Sequence, residues 1–304
     1  MFDRFLVPID GSALAERAIP YAVALARATH GEIQLLHATP EATAAAGQQA
    51  ELDMAARLDK IVTELRRQGI RTGSHTLGGD AATAIIKAAN SAPTSVLVMS
   101  THGRGGLGRW LYGSVAEQVL RDADLPILLI SAGADYSWPT GRPLKILVPL
   151  DGSETAEAAI ESARRIGKSL EADAIFVRII ESSQSPDLIF DPAHFRLDRP
   201  VMDSGQTAAR EYLDNVASQP ASPFHAVDTI VEEGNPATRI AALARQEDVD
   251  LIVMATHGRT GLARLVMGSV ATATVHRAHV PILIVRPASL REEREASAEL
   301  AGTV

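Results

Sequence analysis

The sequence predicts an α/β protein made of two tandem doubly wound, Rossmann-like domains, each a five-stranded parallel sheet flanked by helices. Three observations carry this expectation. Segments return in the same order: FLVPIDGS (5–12) as ILVPLDGS (146–153), SVLVMSTHGR (95–104) as DLIVMATHGR (250–259), and DADLPILLIS (122–131) as RAHVPILIVR (277–286). Within each copy, short Val/Ile/Leu runs alternate with longer stretches of helical period, the pattern of βα units around a parallel sheet. The length of 304 residues also exceeds what one domain of about 100–200 residues uses.

In the first copy, apolar runs place strands near 4–9, 33–38, 70–77, 95–100 and 126–130. Helical periodicity falls between them, near 13–29, 48–68, 81–90 and 114–122. Pro20 lies inside the first of these helices and is expected to kink it, because proline has no N–H for the helical ladder. The second copy repeats the series, with strands near 145–150, 174–180, 224–231, 250–255 and 282–285 and helices near 154–170, 204–218, 236–247 and 269–278. Near-continuous runs such as SVLVM and DLIVM suit central strands covered on both faces. Asp10 and Asp151 are 141 positions apart and His102 and His257 are 155 apart, so the second copy holds a net 14 extra residues between these landmarks. Pro, Asp and Ser interrupt any helical period around 181–203, which is where the excess is expected.

The domains are expected at 1–133 and 145–287, with a Pro- and Gly-containing linker at 134–144 and a tail rich in Ala, Glu and Arg at 288–304. Two copies of this size suit tandem globular domains rather than a solenoid. The last strands, PILLIS and PILIVR, would leave exposed apolar edges if each unit stood alone, and pairing them removes both.

Composition narrows the function. Apolar residues make up 46% and charged residues 22%, the balance of an ordinary globular chain. No run approaches the roughly 18 apolar residues of a membrane span, and MFDRFLVPIDGS has no basic-then-apolar leader pattern, so a cytoplasmic location is expected, without membrane partners. The absence of cysteine excludes disulfides, thiolate zinc sites and cysteine nucleophiles. A net charge of −8 opposes general affinity for nucleic acid.

The chemistry is concentrated in THGRGGLGRWLYGS (101–114) and THGRTGLARLVMGS (256–269). Gly103, Gly105 and Gly108 form a literal G-x-G-x-x-G, but the second copy has Gly258, Thr260 and Ala263 there, and the loop follows the fourth strand rather than the first. A dinucleotide fingerprint is therefore not supported. A Walker loop is excluded because no Lys-Ser/Thr pair ends either stretch. The shared pattern is T-H-G-R-x-G-L-x-R-x-x-x-G-S, with nine residues between Gly103 and Gly113 and between Gly258 and Gly268. Glycines admit a phosphate close to the backbone, and Gly-Ser at a helix start offers unpaired N–H groups and the positive end of the dipole. Ser114 with Glu117 also reads as a capping box, although Ser269 is followed by Thr272, which cannot reciprocate. Arg104, Arg109, Arg259 and Arg264 are either phosphate contacts or solvated surface. His102 and His257 have no acid at relay spacing, so they are expected to orient rather than to catalyse, and no catalytic residue is assigned. The other histidines show no metal-ligand spacing.

VPIDGS/VPLDGS, VMSTHGR/VMATHGR, the nine-residue spacing to GSVA, and PILLIS/PILIVR together resemble the universal stress protein family, in its tandem, ATP-binding form. The resemblance implies two ATP per chain, with magnesium on the phosphates, at G-x-x-G-(nine residues)-G-S/T. The first of these glycines falls on Ser100 and Ala255, a departure that could not supply a positive φ easily. The others fall on Gly103 and Gly258, each followed by Arg104 or Arg259, and on Gly113-Ser114 and Gly268-Ser269, followed by Val115 and Val270. By the same resemblance, Pro8-Ile9 and Pro149-Leu150 line the entrance, and Asp10 and Asp151 approach the ribose or a metal, unless they only cap a turn. Backbone at Ala38 and Ile179 meets adenine, and Met99 and Met254 pack on the base or in the core. The implied function is a stress-response sensor or regulator. The alternatives are a slow ATP-hydrolysing enzyme and a partner-binding module with degenerate sites. The resemblance further implies antiparallel pairing of the last strands into an intramolecular pseudo-dimer, and a homodimer of chains is compatible with it.

Overall fold

The computed structural model describes residues 2–39, 45–91, 95–101, 113–131, 133–134, 137–181, 199–219, 223–256 and 267–287. The first half runs β1 (Arg4–Pro8), α1 (Ala13–Glu16), α2 (Ala18–Thr29), β2 (Glu32–Thr39), α3 (Ala45–Arg67), β3 (Arg71–Gly78), α4 (Ala81–Asn90), β4 (Ser95–Ser100), α5 (Ser114–Asp122) and β5 (Ile127–Ile130). The second runs β6 (Lys145–Pro149), α6 (Glu154–Leu170), β7 (Asp173–Ile180), α7 (Arg199–Ala217), β8 (Val227–Glu233), α8 (Pro236–Gln246), β9 (Leu251–Ala255), α9 (Ser269–Arg277) and β10 (Ile282–Val285). Every expected strand and helix is present, with ends displaced by a few residues.

The strands form one ten-stranded sheet in the order β3-β2-β1-β4-β5-β10-β9-β6-β7-β8. Each half is parallel in the doubly wound order, so the chain reverses direction beside β1 in one half and β6 in the other. The halves join where β5 and β10 pair antiparallel, Leu128 opposite Leu283. Both strands are wholly buried, which is how four-residue apolar edges avoid water. Alternation along the strands sends Phe5, Val7, Ile33, Val98, Leu128 and Phe176 to one face and Leu6, Leu97, Met99, Leu129, Ile175 and Met254 to the other. Both resulting cores run through the two halves.

The expected interruption by Pro20 falls at Arg17, the one residue between two helices, whose φ of −60° and ψ of −19° stay in the helical region. Helix α1 ends at Glu16 and α2 begins at Ala18, because Pro20 cannot donate to the Glu16 carbonyl. In the second copy Glu161 occupies the matching place, and α6 is one helix of 17 residues. The segment between the copies is anchored. Trp138 is buried edge-on against Tyr21, with ring centroids 5.1 Å apart, and its Nε1 donates to the Asp250 carbonyl at 3.0 Å. Arg142 grips the Asp250 carboxylate with two hydrogen bonds of 2.7 and 2.8 Å, and the Lys145 backbone N–H adds a third at 2.9 Å. Most of the expected excess around 181–203 lies outside the described residues. Among the described residues, no helix is long and apolar enough to cross a membrane.

Candidate functional site

The first half of the site is the turn after β1. Ile9 is buried, its N–H donating to the Leu36 carbonyl at 2.7 Å, while Pro8 and Asp10 are half-buried. Asp10 Oδ1 accepts the Ser12 N–H at 2.9 Å, and Ser12 Oγ accepts from Ala15 as the N-cap of α1. The second copy matches: Asp151 Oδ1 accepts from the Ser153 N–H at 3.0 Å and the Ser153 hydroxyl at 2.6 Å, and Ser153 caps α6. One carboxylate oxygen of each aspartate thus holds the turn together, as the capping alternative expected.

The other half of the site follows β4. Ser100 is the last residue of β4 and Ala255 the last of β9, both buried. Neither has a positive φ, so a small residue in extended conformation suffices where the family pattern has glycine. The Gly113 N–H donates to the Thr101 carbonyl at 3.1 Å, and Gly268 does the same to Thr256 at 2.7 Å. Because β1 pairs with β4 as Leu6 with Leu97, continuing that register brings Asp10 level with Thr101. The aspartate turn and the helix start therefore meet at the switch point.

The helix start corrects one expectation. The Gly113 carbonyl accepts from Glu117 N–H at 3.0 Å, so Gly113 is the N-cap and Ser114 the first helical residue. Ser114 does not form the anticipated capping box, and no side chain caps α5. Gly268 and Ser269 repeat the arrangement at α9. Both serines are exposed, and Val115 and Val270 are half-buried beside them. The N–H groups of the first helical turn have no intrahelical acceptor, which makes each helix start a place for an anion.

Glycine at 113 is not demanded by the fold. Its φ of −64° and ψ of 150° suit any residue, and among the described residues an added Cβ would meet only the Thr101 carbonyl oxygen, at 3.9 Å. Gly268 has the same backbone, φ −61° and ψ 154°.

Ala38 and Ile179 lie near the ends of β2 and β7 and are half-buried, at the edge of the same region. Pro149 ends β6, and Leu150 is buried. Met99 and Met254 are packed in the buried core. Gly103, Arg104, Gly258 and Arg259 lie outside the described residues, as do Arg109, Arg264, His102 and His257. Ser269 and Val270 line a cleft of about 490 Å³ that also reaches the start of α8.

Several supporting residues were not anticipated. His37, just before Ala38, has its Nδ1 2.8 Å from the Ile9 carbonyl oxygen. Its counterpart Arg178 lies against Gly152, whose φ is +81° and whose Cβ position would be 2.7 Å from Arg178 Nη1, and sits over the Tyr212 ring at 5.1 Å. Tyr212 donates to Glu157 at 2.8 Å, where the first half has a Glu16–Arg57 ion pair at 2.6 Å. Burial, then the bond to Glu157, pushes the Tyr212 phenol above its ordinary range, so it remains a neutral donor. Asp80 and Asn235 cap α4 and α8, each accepting the N–H three residues on. Repetition of the strand-to-helix step at equal offsets was the available sequence signal for these caps. Among the described residues, no group of three or more His, Asp or Glu side chains is arranged to hold a metal.

Fold and site together define a duplicated doubly wound α/β protein, with a Gly-Ser helix start and an aspartate turn at each switch point. The chain belongs to the universal stress protein family, which matches residues 1–131 and 144–286. It is similar to a universal stress protein of Methanocaldococcus jannaschii, 32% identical over 142 residues, covering 47% of this chain and 81% of that one. It is also similar to one of Mycobacterium bovis, 29% identical over 196 residues, 63% of this chain and 61% of that one. The crystal structure of a universal stress protein from Archaeoglobus fulgidus superposes with a TM-score of 0.70 at 20% identity, covering 94% of this chain and 99% of that chain. That likeness is one of fold.

Proposed function

We propose that this chain binds an adenine nucleotide in each half, ATP with a divalent cation, and acts as a stress-response sensor or regulator in the cytoplasm. The observation that carries the reading is the pair of glycine N-caps, Gly113 and Gly268, with backbone that would accept a side chain. Ser114 and Ser269 would hold phosphate oxygens together with the first helical N–H groups. Asp10 and Asp151 would face the ribose or the cation, while Ala38 and Ile179 would meet the base along their backbone. A bound triphosphate supplies negative charge and a transferable phosphoryl group. The residues described above bind and orient it, and none of them is assigned to move a proton. The two binding units are 1–133 and 145–287, joined by 134–144, and a homodimer of chains belongs to the same proposal.

The test is mass spectrometry of nucleotide retained by the purified chain, followed by calorimetric titration with ATP and magnesium. Two equivalents of ATP per chain are expected. Absence of both retained nucleotide and ATP binding would refute the reading. Incubation with ATP and magnesium should leave ATP intact, and steady ADP release abolished by Asp10→Ala with Asp151→Ala would point to an enzyme instead.

A further inference from the structure

The two halves differ along the helix that starts at the phosphate cradle. In the second half, Ser269, Ala273 and Arg277 stand one turn apart on α9 and line the same cleft of about 490 Å³, together with Val270, Asn235 and Glu181. That volume is in the range of small-ligand sites. Arg277 Nη1 donates to the Ala273 carbonyl at 2.9 Å, so its guanidinium lies beside the turn that precedes it, with Ser269 one further turn along the helix. Among the described residues, no carboxylate pairs with it. In the first half, the matching positions are Ser114, Gln118 and Asp122. There, a longer side chain replaces Ala273 and a negative charge replaces the guanidinium, with Asp122 3.3 Å from Arg121.

A basic residue in the last turn of a helix also offsets the helix dipole. Helix α5 meets that need with Arg121 while placing Asp122 at the cleft position, so the dipole alone does not require arginine at 277.

We propose that the cleft of the second half accepts an adenine nucleotide carrying one phosphate more than the first half accommodates, with Arg277 binding that phosphate. The proposal rests on the nucleotide reading above. Ala273 leaves room for the group, and a guanidinium matches phosphate geometry. Glu181, the carboxylate of the cleft, opposes an anion, so Glu181→Gln should tighten binding of the longer ligand. The extra phosphate can extend the 5′ chain or sit on the ribose, and the two sources are separable.

The full chain is titrated calorimetrically with adenosine 5′-tetraphosphate against ATP, and with adenosine 3′,5′-bisphosphate against AMP. One site per chain should prefer the ligand with the additional phosphate by about 10-fold, in one pair or the other. The pair that shows the preference identifies where the phosphate is carried. Arg277→Asp should abolish the preference, and Asp122→Arg with Gln118→Ala should create it at a second site. No preference in either pair, or a preference unchanged in Arg277→Asp, would overturn the proposal while leaving two-site ATP binding intact. Failure of every nucleotide to bind would overturn both.

Discussion

In Gly113→Val and the paired Gly268→Val, a branched side chain is added at the N-cap of α5 and of α9. The backbone there is extended, φ near −60° and ψ near 150°, which valine adopts readily. At Gly113 the nearest atom to the new Cβ among the described residues is the Thr101 carbonyl oxygen at 3.9 Å, an ordinary contact. Two opposed effects act on stability. Valine is a poorer N-cap than glycine, a loss of about 0.5–1 kcal/mol, and it restricts the unfolded chain, a gain of about 0.4–1 kcal/mol. The folding free energy should therefore change by less than about 1 kcal/mol per site. Binding should respond very differently. The valine methyls would occupy the space over the first helical N–H groups, where the phosphates are proposed to lie. Losing two charge-assisted hydrogen bonds at about 1.5 kcal/mol each weakens affinity by about 100-fold. Calorimetry with ATP and urea denaturation of the same preparations measure the two quantities. Unchanged ATP affinity in the double variant, with the fold intact, would refute the placement of phosphates at Gly113 and Gly268.

Two further outcomes concern the frame. Asp250→Ala leaves the Lys145 N–H without its acceptor at the start of β6, about 1–3 kcal/mol, and removes an ion pair whose partner Arg142 is partly exposed, at most about 1 kcal/mol. Urea unfolding should show a loss of about 1–4 kcal/mol, larger than in Arg142→Ala, and equal losses would contradict the role assigned to the backbone bond. Asp80 is held below its ordinary pKa chiefly by the Thr83 backbone N–H, so its contribution is present above the carboxylate range and is lost as pH falls through it. Asp80→Asn copies the second half, where Asn235 keeps the same acceptor at every pH. Below about pH 4, wild type should lose stability that this variant keeps, and parallel pH profiles would remove Asp80 from the account.

The sheet was legible because its strands are apolar runs such as SVLVM and DLIVM, and because the duplication supplied every boundary twice. The site was legible only as far as backbone chemistry reaches. Gly-Ser marked both helix starts, and of the two readings open for Ser114 the capping box fails because Gly113 already supplies the carbonyl for Glu117. Concern over Ser100 and Ala255 came from reading a glycine pattern as a demand for positive φ, whereas both residues are extended strand ends. The Asp250 cluster and the Arg178–Tyr212 contact were not legible, since their partners lie 108 and 34 positions away and meet only through tertiary packing.

What the two copies keep and what they change divides along a physical line. Asp-Gly-Ser turns, Gly-Ser helix starts and small residues at 100 and 255 recur, and all of them act through backbone groups. The side chains that back them diverge in charge: His37 against Arg178, Arg57 against Tyr212, Asp122 against Arg277. Backbone N–H groups can hold a phosphate whatever surrounds them, whereas the charges around it set how strongly, and with which additional group, a ligand is held. On the proposed nucleotide reading, a duplication that conserves the first set and alters the second would give one chain two related sites with different electrostatic surroundings. On the same reading the chain would answer to two ligand levels, or to two ligands, without any change of fold.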